Sequence, residues 1–260
     1  MSRWLVSYVP AGVLLVLLVV LVSGGAMLIQ RFVRRRFPTL TGDEHNDVTR
    51  FTYGFIGFVY AFFTGFIVST MWGQINTADG DARSEGAAAV QMVRDAVVFD
   101  GSDRAGIQSS LRRYASAAIG EWNTADLATS KAADEALAGV YAAYQQVRPT
   151  TDVQKAALAT SQSNLDEISQ ARTVRLLTAR EDTGPPGPLW AVILVTSALV
   201  LGTAIVYGVE RPRLHYPMVA IVGIIVATNL FLVLELSHPY AGAVSTSSDA
   251  LQEVLRVLDR

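Results

Sequence analysis

Four long apolar blocks divide the sequence, and a long stretch with helical periodicity separates the second block from the third. The blocks run from Val9 to Gln30, from Phe51 to Trp72, from Leu189 to Tyr207 and from Pro217 to Leu236. Each is close to the roughly 20 residues that an α-helix needs to cross the hydrocarbon core of a bilayer. The pattern therefore predicts four transmembrane helices.

The stretch between the second and third blocks predicts amphipathic helices outside the membrane. The first of these continues from the second span to about Phe99. Apolar residues three and four positions apart mark two more helices, at Ile107–Trp122 and Leu137–Val147. A capping box formed by Thr151 and Gln154 opens a fourth. Four such helices predict a bundle.

These elements define the predicted fold class, which is all-α, with a helical-bundle domain inserted between spans two and three. The run Gly184–Pro188 contains only glycine and proline and separates that domain from span three. We expect spans one and two in residues 1–73, the helical domain in 74–188, spans three and four in 189–236, and an extramembrane tail in 237–260.

The second span has two distinct faces. At about 100° per residue, five phenylalanines fall within one sector of about 80°, and three glycines and an alanine form a second stripe about a quarter turn away. The phenylalanine face consists of Phe51, Phe55, Phe58, Phe62 and Phe66, and the glycine face of Gly54, Gly57, Ala61 and Gly65. Small residues let another helix approach closely, so the glycine face predicts helix packing. The phenylalanine face fits either core packing and lipid contact or a hydrophobic constriction that lines a pore.

Composition agrees with an integral membrane protein. Of 260 residues, 51% are hydrophobic and only 17% are charged, and the mean hydropathy is +0.32. The formal net charge of −2 gives no overall signal for nucleic-acid binding. The absence of cysteine from the sequence excludes disulfides, thiolate metal sites and cysteine catalysis.

The distribution of arginine predicts the orientation. Arg3 precedes the first span and four arginines follow it, which favours an uncleaved span over a signal peptide. Positive loops stay in the cytoplasm, so we expect loops 31–50 and 209–216 to be cytoplasmic and the helical domain and both termini to be extracytoplasmic. Arg172, Arg175 and Arg180, just before the third span, argue the other way.

The sequence offers little catalytic or metal-binding chemistry. It contains no phosphate-binding glycine loop, zinc-protease motif, nucleophile elbow or dinucleotide fingerprint, so we expect no catalytic residue and no cofactor. His45, His215 and His238 lie far apart in sequence and predict no metal site. Within the membrane, Asn229 suits an interhelical hydrogen bond, and Glu235 at the end of span four suits headgroup contact or an ion-coupling role.

Several short motifs, taken in order, resemble the bacterial bestrophin-like family of four-span membrane proteins. The resemblance extends over roughly Gly42 to Leu255 and departs from the family pattern near its end, where Glu235 lies upstream of the usual Asp and Tyr240 replaces Phe. The motifs are His45-Asn46, Ser84-Glu85-Gly86-Ala87, Tyr114 followed by Glu121-Trp122, Pro188-Leu189-Trp190 and His238-Pro239-Tyr240-Ala241-Gly242.

The resemblance implies more than the residues themselves do. Bestrophins are pentameric anion channels in which the second span lines the pore and a cytoplasmic helical domain extends it. The resemblance thus implies a homo-oligomer in the cell membrane, whereas the arginine distribution places the helical domain on the opposite side. Their acidic calcium-binding cluster has no counterpart in this sequence. The expected function is an ion channel with a phenylalanine constriction, and the alternative is a non-conducting accessory subunit that binds other membrane proteins.

Overall fold

The computed structural model describes residues 2–37, 46–122, 131–181, 183–207 and 212–260, which form nine α-helices and no strand. This confirms the all-α class. Four helices are long and apolar enough to cross a membrane, which confirms the predicted number of spans. The helices are α1 (Ser2–Tyr8), α2 (Ala11–Arg36), α3 (Asn46–Asp95), α4 (Gly101–Trp122), α5 (Lys131–Gln146), α6 (Asp152–Arg180), α7 (Gly187–Val206), α8 (Pro212–Leu236) and α9 (Asp249–Leu258), and a 3-10 helix (Ala96–Val98) follows α3.

The chain divides into two units. The membrane unit comprises Met1–Gly73, Thr183–His238 and Gly242–Val244. The helical unit comprises Gln74–Asp182, Pro239–Ala241 and Ser245–Arg260.

In the membrane unit, α2, α7 and α8 pack against one another. Helices α2 and α8 approach closely, because a Cβ added at Gly223 would be 2.7 Å from the Cα of Ser23. Ser23 Oγ also donates to the carbonyl of Ala220 at 3.2 Å. A small residue therefore sets the distance between these two helices, as is common where van der Waals packing drives association in lipid.

In the helical unit, α4 packs against α5 and α9, and α6 packs against α5. The core includes fully buried Ile107, Leu111 and Val140, and burying each such side chain contributes about 1.5–3 kcal/mol. The predicted capping box is confirmed, because Thr151 Oγ1 accepts from the Gln154 N–H at 3.2 Å and the Gln154 side chain accepts from the Thr151 N–H at 3.4 Å.

Two features differ from the sequence prediction. Helix α2 continues to Arg36, six residues beyond Gln30, because arginine favours helix and its charge suits the negative end of the helix dipole. The segment 237–260, interpreted as a tail, contains α9, whose Leu251 and Val254 are buried in the core of the helical unit. That core therefore includes a C-terminal helix that the predicted bundle omitted.

Candidate functional site

The two sides of α3 within the membrane unit differ sharply in burial. Tyr60, Thr64 and Ile67 are buried against the rest of the chain. The phenylalanine face lies on the opposite side and contributes nothing to the core of the chain. Phe51, Phe55, Phe58, Phe62 and Phe66 are 79, 61, 69, 71 and 67% exposed. Core packing within one chain therefore does not account for this face.

The glycine face is also open within the chain. A Cβ added at Gly54, Gly57 or Gly65 would meet no atom within 4 Å, and Ala61 is exposed. Whatever helix packs on this face is not supplied by the described part of the same chain. The membrane unit does make a close small-residue contact at Gly223, which the sequence analysis did not single out.

The two intramembrane polar residues lie in different surroundings. Asn229 is half-buried. Glu235 is completely buried, and its Oε2 accepts from the Ala243 N–H at 2.9 Å. The turn closes over this carboxylate at Gly242, which has φ +92° and where an added Cβ would lie 2.6 Å from Glu235 Oε2. The expectation that Glu235 reaches lipid headgroups is therefore wrong, since the turn after α8 folds back over it.

The histidines do not form a site. His45 lies outside the described residues, and the described part of the chain contains no group of three or more His, Cys, Asp or Glu side chains able to hold a metal ion. His215 is buried, with Nδ1 3.2 Å from Arg34 Nη1 and Nε2 3.0 Å from the Ala204 carbonyl. Because Arg34 can only donate, Nδ1 accepts and Nε2 carries the proton. The ring thus links α2, α7 and α8.

The helical unit contains a buried charge cluster, formed by Glu85 of α3, Glu121 of α4, and Arg172 and Arg175 of α6. Each is at most 5% exposed. Arg175 Nε and Nη2 lie 3.1 and 3.2 Å from the two oxygens of Glu85, and both Nη atoms lie 3.3 Å from Glu121 Oε2. Arg172 pairs with the other Glu121 oxygen at 2.6 Å and with exposed Asp134 at 2.5 Å. Two buried cations thus balance two buried carboxylates.

Electrostatics keep Arg175 charged and the neighbouring phenol of Tyr114 neutral. Burial alone would lower the pKa of Arg175, but the charges of Glu85 and Glu121 raise that pKa above its ordinary value. Tyr114 Oη donates to Glu85 Oε1 at 2.6 Å. Burial first, and then the charge of Glu85, hold the pKa of Tyr114 well above its usual value, so the phenol keeps its proton and remains a donor. The arrangement offers strong ion pairing but no free nucleophile.

An aromatic pair connects the cluster to the segment before α9. The Arg175 guanidinium carbon lies 4.4 Å from the centre of a Trp122 ring, a cation–π contact. The indole N–H of Trp122 donates to the Thr246 carbonyl at 2.9 Å, and the ring meets Tyr240 edge-on at 6.0 Å. Within the helical unit, the cluster therefore helps to hold α3, α4 and α6 together with Tyr240 and Thr246.

Sequence reasoning missed this cluster. Arg172 and Arg175 were interpreted as topology signals, and Glu85 and Glu121 only as parts of family motifs. A signal was present, because Arg172 and Arg175 fall in register with buried Ile168 and Ala179 on α6. Charges at core positions of separate helices predict buried ion pairs, although sequence spacing does not say which side chains pair.

Comparison with known proteins identifies the fold. The Bestrophin-like domain model matches residues 16–251. A variant of a bacterial bestrophin homologue from Klebsiella pneumoniae is 17% identical, with 95% of this chain and 97% of that chain covered and a TM-score of 0.67. A second variant of a Klebsiella pneumoniae homologue is 15% identical, with 94% and 95% covered and a TM-score of 0.69. A variant of a membrane protein is also 15% identical, with 94% and 96% covered and a TM-score of 0.69.

No curated protein matches the chain. The identities to the solved structures are low, so those structures show a shared fold and nothing finer. The family model, in contrast, covers most of the chain and includes all four apolar helices in whole or in part. The protein therefore belongs to the bestrophin-like family of helical membrane proteins.

Proposed function

We propose that the protein is a homo-oligomeric channel for small ions in which the phenylalanine face of α3 lines a constriction. The observation that carries this proposal is the exposure of all five phenylalanines on one face of a helix whose opposite face is buried. A face that is exposed in its own chain is available to line an axis shared by several copies. The family resemblance implies five copies.

A ring of such helices would make a dry constriction. Phe58 and Phe62 already stack, with ring centres 6.5 Å apart and planes inclined by 20°. Repeated around an axis, these rings form a segment in which water is unfavourable, and hydrophobic constrictions of this kind stop ions by dewetting. The glycine face, a quarter turn away, then suits contact between neighbouring copies.

The arginine distribution supports an orientation with the helical unit outside the cytoplasm. Arg31, Arg34, Arg35 and Arg36 at the end of α2 are the main signal. Residues 38–45 of the first predicted loop and 209–211 of the second lie outside the described residues. The ends of the two predicted loops are helical, because α3 begins at Asn46 and α8 at Pro212.

Replacing Phe58 and Phe62 together by alanine tests the proposal. Both side chains are exposed within the chain, so the change removes little packing from its own core. We expect raised ion flux through reconstituted protein with an unchanged oligomer on size-exclusion chromatography. The matched control is Leu17→Ala with Leu21→Ala, two exposed apolar residues one turn apart on α2, which should leave flux unchanged.

One result would contradict the channel, and a second would contradict the phenylalanine constriction. An intact oligomer that conducts in neither the wild type nor the phenylalanine variant would favour the non-conducting accessory subunit. Equal flux increases from the phenylalanine and leucine pairs would show a general effect on the protein or membrane, with no special part for the phenylalanine face.

A further inference from the structure

The half of α2 that ends in arginines has a buried side and an exposed side. Ser23, Ala26 and Gln30 fall within about 60° of one another around the helix, and all three are buried. Arg34 lies about 40° from Gln30, and its Nη1 is 3.2 Å from Nδ1 of buried His215. This arginine therefore faces the interior of the membrane unit.

The opposite side of α2 carries an exposed apolar row that ends in two arginines. At about 100° per residue, Leu21, Leu28 and Phe32 fall within about 40°, and Arg31 and Arg35 lie beside them, so that all five fit in a sector of about 100°. All five side chains are exposed, and they form the α2 stripe. Neither arginine forms an ion pair with any described residue, and α2 contains no Asp or Glu.

The α2 stripe matches one leaflet of a bilayer in length and in the order of its groups. At about 1.5 Å per residue, Leu21 lies about 15 Å along the axis from Arg31. A hydrocarbon core about 30 Å thick gives each leaflet about 15 Å, so the apolar side chains extend along one leaflet and the guanidinium groups stand where its phosphates begin. A phospholipid has the same order, with acyl chains followed by a phosphate. Free phosphate, in contrast, would leave the apolar part of the stripe without a partner.

We propose that the α2 stripe binds an anionic phospholipid. Guanidinium groups stay charged and donate paired hydrogen bonds to phosphate oxygens, and their positive charge favours a headgroup with net negative charge over a zwitterionic one. Arg31 and Arg35 are four residues apart and thus neighbours on the helix surface, so both can reach one headgroup. Each basic residue at an anionic membrane surface strengthens binding by about fivefold. This site does not depend on whether the protein conducts ions.

Lipid binding to the purified full-length protein in detergent, measured by native mass spectrometry, tests this site. The probes are dioleoyl phosphatidylglycerol, which is anionic, and dioleoyl phosphatidylcholine, which has the same acyl chains and a zwitterionic headgroup. We expect the wild type to bind phosphatidylglycerol about tenfold or more tightly than phosphatidylcholine, and Arg31→Gln with Arg35→Gln to remove most of this difference. Glycerol 3-phosphate, which has the phosphate but no acyl chain, should not displace the lipid.

Arg36→Gln is the matched control. It removes the same charge from the same turn of α2, but Arg36 lies about 100° from Arg35, and its guanidinium carbon is 5.5 Å from the centre of the Phe37 ring. A general attraction of anionic lipid to this end of α2 predicts equal losses of affinity in Arg35→Gln and Arg36→Gln. The α2 stripe predicts a loss of about fivefold in Arg35→Gln alone.

Three results would overturn the assignment. They are equal affinity of the wild type for the two lipids, equal losses in Arg35→Gln and Arg36→Gln, and displacement of the lipid by glycerol 3-phosphate. If the double variant does not fold, the comparison of Arg35→Gln with Arg36→Gln decides, because each removes one charge from an exposed position.

Discussion

Removing Arg175 from the charge cluster should destabilise the protein strongly. Arg175→Met keeps a long, unbranched side chain on α6 but deletes the guanidinium that contacts both oxygens of Glu85 and one oxygen of Glu121. Glu85 is then left with the Tyr114 hydroxyl as its only described partner. Breaking a buried pair from one side costs about 3–5 kcal/mol, because the remaining charge is buried without compensation.

The size of the effect separates burial from simple pairing. The lost cation–π contact with Trp122 adds about 0.5–2 kcal/mol. Lys155→Met on the same helix is the matched control, since Lys155 pairs at 3.0 Å with Asp152 but both side chains are more than half exposed. Exposed pairs of this kind contribute about 0–1 kcal/mol. The two substitutions should therefore differ by several kcal/mol.

The assay is thermal unfolding of the full-length protein in detergent, followed by far-ultraviolet circular dichroism. At about 2–4 °C per kcal/mol, Arg175→Met should lower Tm by about 7–28 °C, and Lys155→Met by no more than about 4 °C. Adding Glu85→Gln to Arg175→Met removes the stranded charge and should recover part of the loss. Equal shifts for Arg175→Met and Lys155→Met, or a double variant no better than Arg175→Met, would refute the account of the cluster.

Two further predictions concern assembly and orientation. Gly223→Leu should prevent folding because the added side chain meets the α2 backbone, whereas Gly57→Leu and Gly65→Leu should leave the chain folded but reduce its oligomeric state on size-exclusion chromatography. An oligomer as stable in the Gly57 and Gly65 variants as in Val59→Leu would remove the proposed interface. The chain has no cysteine, so Ser109→Cys on exposed α4 provides a single label site that should react with an impermeant maleimide in intact cells. Labelling only after permeabilisation would place the helical unit in the cytoplasm.

The helices that carry long, regular apolar patterns could be predicted from sequence. All four spans are long and predominantly apolar, and α6 begins at the capping box that the sequence predicts. Such elements depend on local spacing and capping, which a single sequence displays directly. The all-α class and the number of spans therefore followed from pattern alone.

Helix α9, which the sequence analysis missed, is a short helix whose stability depends on packing against the rest of the helical unit. Leu251, Val254 and Leu258 keep helical spacing, but ten residues are too few to form a stable helix in isolation. Its position depends on Gly86 of α3, where an added Cβ would lie 2.6 Å from Ala250. This contact joins residues more than 160 positions apart. Neither segment contains a sequence feature that predicts the other as its packing partner.

The charge cluster could not be predicted from the sequence for a related reason. Pairing of Arg175 with Glu85 spans 90 positions, and a positive-inside count treats every arginine near a span as if it faced water. Arg175 is completely buried and paired, so its place in the fold accounts for it without any role in topology. Of the three arginines that opposed the predicted orientation, only Arg180 is then left as an exposed charge.

The opposite faces of α3 give the clearest way to distinguish pore defects from folding defects. Within the membrane unit, Tyr60 and Thr64 belong to the buried side of α3, whereas Phe58 and Phe62 belong to the exposed side. Burial makes the first pair sensitive to any change of charge or volume. Their variants should therefore lose stability, and a change in ion flux through such destabilised protein could not be assigned to the pore. Exposure within the chain frees the second pair from that constraint. A change in flux with unchanged Tm, confined to the exposed side, would therefore be evidence for a pathway along α3 that no general destabilisation could imitate.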